Sequence, residues 1–204
     1  MFAPNQWPAY FEHAKGIEVA DLDGNKYLDF SHFSVGTNTL GYGNKIADEA
    51  VLNCIQKGNM STLNAPEEVY LAERLVKMHP WASMAKFARS GGEVNSMAVR
   101  IARSYTGKSK IAFCGYHGWH DWYLATNLQT NKNLNNHLMP SLGIKGVPKD
   151  LQNSIYPFKY NNFKELEKLV NREKIGTICM EVVRNEEPKN NFLKKVRNLA
   201  TKKG

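Results

Sequence analysis

Arg89-Ser90-Gly91-Gly92-Glu93, the periodic run behind it, and then Cys114-Gly115-Tyr116-His117-Gly118 decide how this chain folds. Met84 to Arg89 reads as a short strand, and Ser90-Gly91-Gly92 as a turn that only small residues tolerate. From there the apolar positions Val94, Met97, Ala98, Ile101, Ala102 and Tyr105 recur at helical spacing, which predicts one apolar helix face. Gly107 supplies a stop, and Lys110 to Cys114 reads as the next strand, ending at Gly115-Tyr116. Strand, glycine turn, helix, strand implies a parallel sheet with a right-handed crossover. Such sheets bind ligands beyond the carboxyl ends of their strands, where both Ser90-Gly91-Gly92 and Tyr116 fall.

The residue types suit an anion beside a flat ring. The first amides of a helix lack internal partners, and the helix dipole is positive at that end. Glycines let the backbone approach a phosphate closely, and a tyrosine on the next strand end can lie against a heteroaromatic face. On spacing alone, a plain tight turn with a half-buried aromatic explains the same residues, and both readings stay open at this point.

Four segments, in order, resemble class III pyridoxal-phosphate aminotransferases, with the glutamate-1-semialdehyde 2,1-aminomutase branch nearest. Asp21-Leu22-Asp23-Gly24-Asn25-Lys26-Tyr27-Leu28-Asp29-Phe30 resembles that family's "D-x-D-G-x-x-Y-x-D" hairpin. Ser90-Gly91-Gly92-Glu93, followed by Ala98-Val99-Arg100-Ile101-Ala102-Arg103-Ser104-Tyr105-Thr106-Gly107, is similar to its "S-G-T-E-A…A-I-R-L-A-R-x-x-T-G" segment. Gly115-Tyr116-His117-Gly118-Trp119-His120-Asp121 resembles "x-Y-H-G-x-x-D", and Met180-Glu181-Val182-Val183 resembles "E-P-V".

The resemblance implies an α/β fold, the fold type I (aspartate-aminotransferase-like) sheet of pyridoxal-phosphate enzymes, mostly parallel. Residues 1–40 would form an N-terminal segment with a β-hairpin, and 41–204 the first part of the large cofactor-binding domain. It implies pyridoxal 5'-phosphate as cofactor, with Ser90, Gly91 and Gly92 on its phosphate and Tyr116 stacked on its ring. His117 would lie beside Tyr116, Glu181 near the ring's polar edge, and Ser34 near an amino or oxo substrate. A cytoplasmic homodimer is expected. Gly92 stands where the family usually has Thr, Ser or Ala, so a side-chain bond to the phosphate is lost. Ser34-Val35-Gly36 replaces an "S-W-G" common among the aminomutases, and Val182 replaces a proline. The family's cofactor-bearing lysine and the aspartate that pairs with the ring nitrogen are expected beyond residue 204, so the chain by itself is expected to be inactive.

Composition fits this reading. The 204 residues are 42% hydrophobic with four Trp, enough for one sizeable core. Cys54, Cys114 and Cys179 lie in apolar segments without paired spacing and read as reduced core residues. No 18-residue apolar run or signal peptide is visible, so neither a membrane span nor export is expected. The net charge of +8 raises nucleic acid as a partner, but the lysines are scattered and no nucleic-acid module accompanies them. His117, His120 and Asp121 lack the further ligands that zinc needs, and His120 reads as a hydrogen-bonding loop residue. A non-catalytic remnant or assembly module that keeps the fold without the chemistry is the second function class, and a basic nucleic-acid-binding protein the third.

The remaining elements follow from local signals. Ile17 to Asp21 and Lys26 to Phe30 should pair across Asp23-Gly24. Lys45 to Lys57 reads as a helix with Ile46, Ala50, Val51, Cys54 and Ile55 on its apolar face. Pro66 opens another, burying Val69, Ala72, Leu75 and Val76 and ending before Pro80. Thr126 to Gln152, polar and Asn-rich, reads as a long loop. Asn162 caps a helix to about Arg172, with Glu165 placed for a capping box. Ile175 to Val183 reads as a buried strand, and Asn190 to Lys203 as a helix with Phe192, Leu193, Val196, Leu199 and Ala200 inward and Gly204 as its cap.

Overall fold

The computed structural model describes residues 8–31, 36–59, 61–130, 132–135, 137, 143–183 and 185–204. The chain divides into two compact units, Met1–Ala85 and Lys86–Gly204. Residue 40, the boundary suggested by the resemblance, lies inside the first.

In the first unit, β1 (Phe11–Lys15), β2 (Glu18–Asp21) and β3 (Lys26–Leu28) form an antiparallel sheet in chain order. The β2–β3 hairpin is the expected one; β1 adds a strand that its polar, unpatterned sequence did not announce. Asp21 explains the turn motif. Its Oδ1 accepts from the Asp23 and Asn25 amides at 3.0 and 2.9 Å, and its Oδ2 from Asn25 Nδ2 and the Tyr27 hydroxyl at 3.1 and 2.8 Å. Burial opposes the charge, but the bonds from Asn25, Tyr27 and Asp23 win and hold this carboxyl below its usual range. Asp29 is held likewise by the Ser31 amide at 2.7 Å and the Tyr42 hydroxyl at 2.5 Å. Helix α1 (Lys45–Gln56) is capped by Asn44, whose side chain accepts from the Ala47 amide, and α2 (Pro66–Met78) begins at its proline. Both helices form where expected, yet neither buries a residue. Ile46, Val51, Ile55 and Val69 are more than half exposed, so the burial expected for α2 is not found in this chain.

The second unit contains α3 (Gly91–Thr106), β4 (Ile111–Cys114), α4 (Asp121–Leu124), β5 (Ile155–Pro157), α5 (Phe163–Arg172), β6 (Thr177–Met180) and α6 (Phe192–Lys203). The sheet is parallel, ordered β5-β4-β6, with Ile111 opposite Ile155 on one side and Thr177 on the other. Central β4 is buried throughout, and its side chains alternate between two apolar layers. Ala112 and Cys114 join Leu166, Leu169, Phe192, Val196 and Leu199 beneath α5 and α6. Ile111 and Phe113 join Val99, Trp122, Tyr123, Leu134 and Val147 on the opposite face. The face predicted for α6 is thus the one turned inward, with Phe192, Val196 and Leu199 buried and Leu193 and Ala200 half-buried.

Three local expectations change, and one loop proves packed. No described strand pairs with Met84–Arg89, and without a ladder partner the segment is not a strand. Helix α3 buries Gly92 and Val99, while Ile101 and Tyr105 of the predicted apolar face are 61% and 91% exposed. Its small-residue side meets the sheet, and the bulkier stripe points outward. The 126–152 stretch holds no helix or strand among its described residues beyond short turns, as expected of a loop, yet those residues are packed. It starts within a 3-10 turn, Ala125–Leu128, and includes another, Lys149–Leu151. Leu134 and Val147 enter the core, and Asn127 Oδ1 accepts from the Leu134 amide at 3.0 Å. Finally, Asn162 caps α5 as expected, but Glu165 reaches the Lys159 amide rather than completing a capping box. Among the described residues no helix is long and apolar enough to cross a membrane.

Candidate functional site

Every element of the candidate site belongs to the second unit and gathers at the carboxyl edge of its sheet. β4 pairs with β5 on one side and β6 on the other, so the chain order reverses around its end, the place where open α/β sheets form crevices. Cys114 ends the strand, and Gly115 turns the chain with φ +98°. A side chain at Gly115 is barred twice. Its backbone is left-handed, and an added methyl would lie 2.6 Å from Glu181 Oε2 and 2.9 Å from its Cγ. Glu181, one residue past β6, therefore lies directly against the turn that presents Tyr116, and its amide donates to the Cys114 carbonyl at 3.2 Å. Tyr116 leans edge-on against Tyr123, centroids 5.9 Å apart, and the Tyr123 hydroxyl donates to the Gly115 carbonyl at 2.9 Å.

Ser90 caps α3 in extended conformation, and its hydroxyl oxygen accepts from the Glu93 amide at 3.3 Å. Its own hydrogen has no acceptor among the described residues. Glu93 Oε2 accepts from the Arg89 amide at 2.9 Å, which fixes the approach to the helix. The Gly91 and Gly92 amides have no acceptor among the described residues, as first-turn amides do. The tyrosine loop folds over this first turn. A methyl at Gly118 would lie 2.9 Å from Gly92 Cα, and one at Gly92 only 2.7 Å from His120 Nε2. The first turn of α3 and the loop that carries Tyr116 therefore adjoin.

The two histidines behind the edge brace it from inside. His117 is buried; its Nε2 lies 2.9 Å from the Cys114 carbonyl and its Nδ1 3.6 Å from Cys179 Sγ. Its ring packs between Phe113, Trp122 and Tyr123. Buried His137 accepts the Gly115 amide on Nδ1 at 3.1 Å. Burial, with His117 nearby, holds the His137 pKa below its ordinary value. Burial pushes the Cys114 thiol up to about 12 and Cys179 to about 11, so both remain protonated, poor nucleophiles. No group of three or more His, Cys, Asp or Glu suited to a metal ion occurs among the described residues.

Of the residues singled out in the sequence, Ser90, Gly91 and Gly92 start α3 with Gly92 against Gly118 of the loop that carries Tyr116, Glu181 lies against Gly115 at the base of that loop, and His117 is buried beside Cys114. Ser34 falls outside the described residues. Sequence reasoning passed over His137, which has no motif, and gave His120 only a loop bond. Its tight fit over Gly92 is visible only in three dimensions.

The class III aminotransferase family model matches residues 1–204. The chain belongs to the class III aminotransferases. It is 33% identical over 208 residues to a 3-aminobutyryl-CoA aminotransferase of Cloacimonas acidaminovorans, covering 98% of this chain and 46% of that protein. It is likewise 33% identical over 201 residues to a glutamate-1-semialdehyde 2,1-aminomutase of Methanobrevibacter smithii, covering 95% of the chain and 46% of the relative. The class III chain thus spans about half the length of these curated relatives. An omega-transaminase from Sphaerobacter thermophilus superposes with TM-score 0.83 at 24% identity, covering 98% of this chain and 48% of that one. A transaminase with pyridoxal phosphate bound superposes at 0.84 and 23%, covering 98% and 47%. These likenesses establish the fold type I α/β architecture.

Proposed function

We propose that this edge is the non-covalent half of a pyridoxal-phosphate site in an enzyme that moves an amino group on a small amino or oxo substrate. The observation that carries the proposal is the packing of the tyrosine loop onto the first turn of α3. It sets free helix amides next to an aromatic face, the polar and flat surfaces that a phosphorylated pyridine requires. The fit is supported by the open space at Gly91, where an added methyl would meet nothing within 4 Å.

In this reading the Gly91 and Gly92 amides bind phosphate oxygens, with the Ser90 hydroxyl donating beside them. Tyr116 covers one ring face, its tilt set by Tyr123. Glu181 lies at the polar edge of the ring, anchored by its contact with Gly115. His117 is a positioning residue in this scheme: it bonds the Cys114 carbonyl at the base of the loop. Bound there, the cofactor supplies an electron sink for bonds at the substrate's amino-bearing carbon. None of the residues gathered at the edge provides the lysine amine that covalent catalysis also needs. We propose accordingly that this chain by itself binds without turning over. Aminomutase against transaminase chemistry, a homodimeric assembly and a cytoplasmic location belong to the same proposal.

Titrating pyridoxal phosphate into the protein, followed by tryptophan quenching, is expected to give saturable binding. Tyr116→Ala should weaken it by about two- to tenfold, the range for a lost aromatic contact. Lack of saturable binding to the unaltered protein would sink the proposal.

A further inference from the structure

Gly92 and His120 are one unit. A methyl at Gly92 would lie 2.7 Å from His120 Nε2 and 2.8 Å from its Cδ2, so the imidazole occupies the space in which any other residue's side chain would begin. The ring is held there by a network. His120 Nδ1 lies 2.9 Å from Ser96 Oγ, one turn along α3; Ser96 Oγ lies 2.8 Å from the Gly92 carbonyl and accepts from Trp122 Nε1 at 3.2 Å. The Ser96 hydrogen can serve either the Gly92 carbonyl or the ring, so Nε2 can carry a hydrogen in the neutral ring or in the imidazolium. With Nδ1 engaged by Ser96, Nε2 is the nitrogen left beside the first turn of α3, next to the free Gly91 and Gly92 amides. Nothing else in the described structure holds it.

We propose that His120 is a phosphate-binding residue: Nε2–H donates to a phosphate oxygen held at the α3 N-terminus and replaces the side-chain contact that Gly92 cannot make. The proposal rests on the cofactor reading above. The ligand chemistry it specifies is a phosphate monoester, and the residue's contribution is selectivity for that group over the same ring without it.

Affinities for pyridoxal phosphate and for phosphate-free pyridoxal, measured on the same protein with inorganic phosphate as competitor, separate the possibilities. His120→Ala should reduce the preference for the phosphorylated ring by about 10- to 100-fold, as for a charge-assisted bond, while leaving pyridoxal affinity unchanged. Inorganic phosphate should compete less well against the variant. Gly92→Thr alone should also lose preference, because its side chain collides with the ring. Gly92→Thr combined with His120→Ala should recover much of the loss, as the hydroxyl takes the vacated place. His120→Gln should retain part of the preference, and circular dichroism of each variant checks folding. Equal loss of both ligands in His120→Ala, or unchanged preference, overturns the proposal. Failure of the unaltered protein to bind pyridoxal phosphate overturns the cofactor reading and this proposal with it. Binding with preference that ignores His120 overturns only the second.

Discussion

Gly115 shows how much a single residue carries at this edge. Its amide donates to His137 Nδ1, its carbonyl accepts from the Tyr123 hydroxyl, and Glu181 fills the space where a side chain would begin. His137 can accept only while Nδ1 keeps its lone pair, and the fold favours that neutral form by lowering its pKa. The sign follows. Stability from this bond is complete above the ordinary histidine value and is lost as pH falls below it through the lowered folded value. Acidification should therefore release the Gly115 amide before the sheet melts. Its resonance in a ¹H–¹⁵N spectrum is expected to shift with pH in the unaltered protein and to lose that titration in His137→Gln. The positions of Ser90 at the start of α3 and of Tyr116 just past β4 were legible because they follow from caps and strand ends, which sequence patterns encode. His137 was not, since its importance comes from a distant amide. Gly92 was read as a deficit; the structure explains it through a ring arriving from another element.

At the scale of elements, the junction between α5 and β4 is polar. Lys110 Nζ lies 2.7 Å from Glu173 Oε2, and Arg172 Nε 2.8 Å from Oε1. The Lys110 bond, then those of Arg172 and Tyr156, hold the Glu173 carboxyl down at about 2. A depressed carboxylate stabilises the fold above its unfolded pKa, and that contribution disappears as pH falls toward the folded value. Urea midpoints of the unaltered protein and Glu173→Gln should differ at pH 6 and converge between roughly pH 4.5 and 2. A constant difference would show that the pair does not act through charge. Helix positions were readable from caps and periodicity. Which side of α3 faces the sheet was not, because one face is apolar and the other is small: close packing of Gly92 against the Gly118 loop wins over the hydrophobic stripe. Strand β5, three residues ending in proline, is too short for any alternation to register.

Across the whole molecule the two units differ in how much they bury. The described part of the first buries Ala20 and Asp21, whereas the second holds two apolar layers on either side of β4. Hydrogen exchange should follow that contrast. Peptides covering β4, β6 and α5 are expected to exchange slowly, and those covering α1 and α2 rapidly. Slow exchange in α1 and α2 would mean that their exposed stripes are covered in solution. The fold type was legible because four segments resemble the family in its own order, and that signal survives the loss of the strand expected at Met84–Arg89. The division at Ala85 was not, since it depends on where contacts thin rather than on composition.

The order β5-β4-β6 has a consequence in time. β4 leads in the chain but pairs only with strands made after it, Ile155–Pro157 and Thr177–Met180. During synthesis Ile111–Cys114 must wait, both faces apolar and both edges open, until those segments emerge. Glu181 follows the last of them and closes the crevice against Gly115. Closure of this edge therefore follows the synthesis of β6, and helpers that shield nascent chains have most to protect in the interval before it.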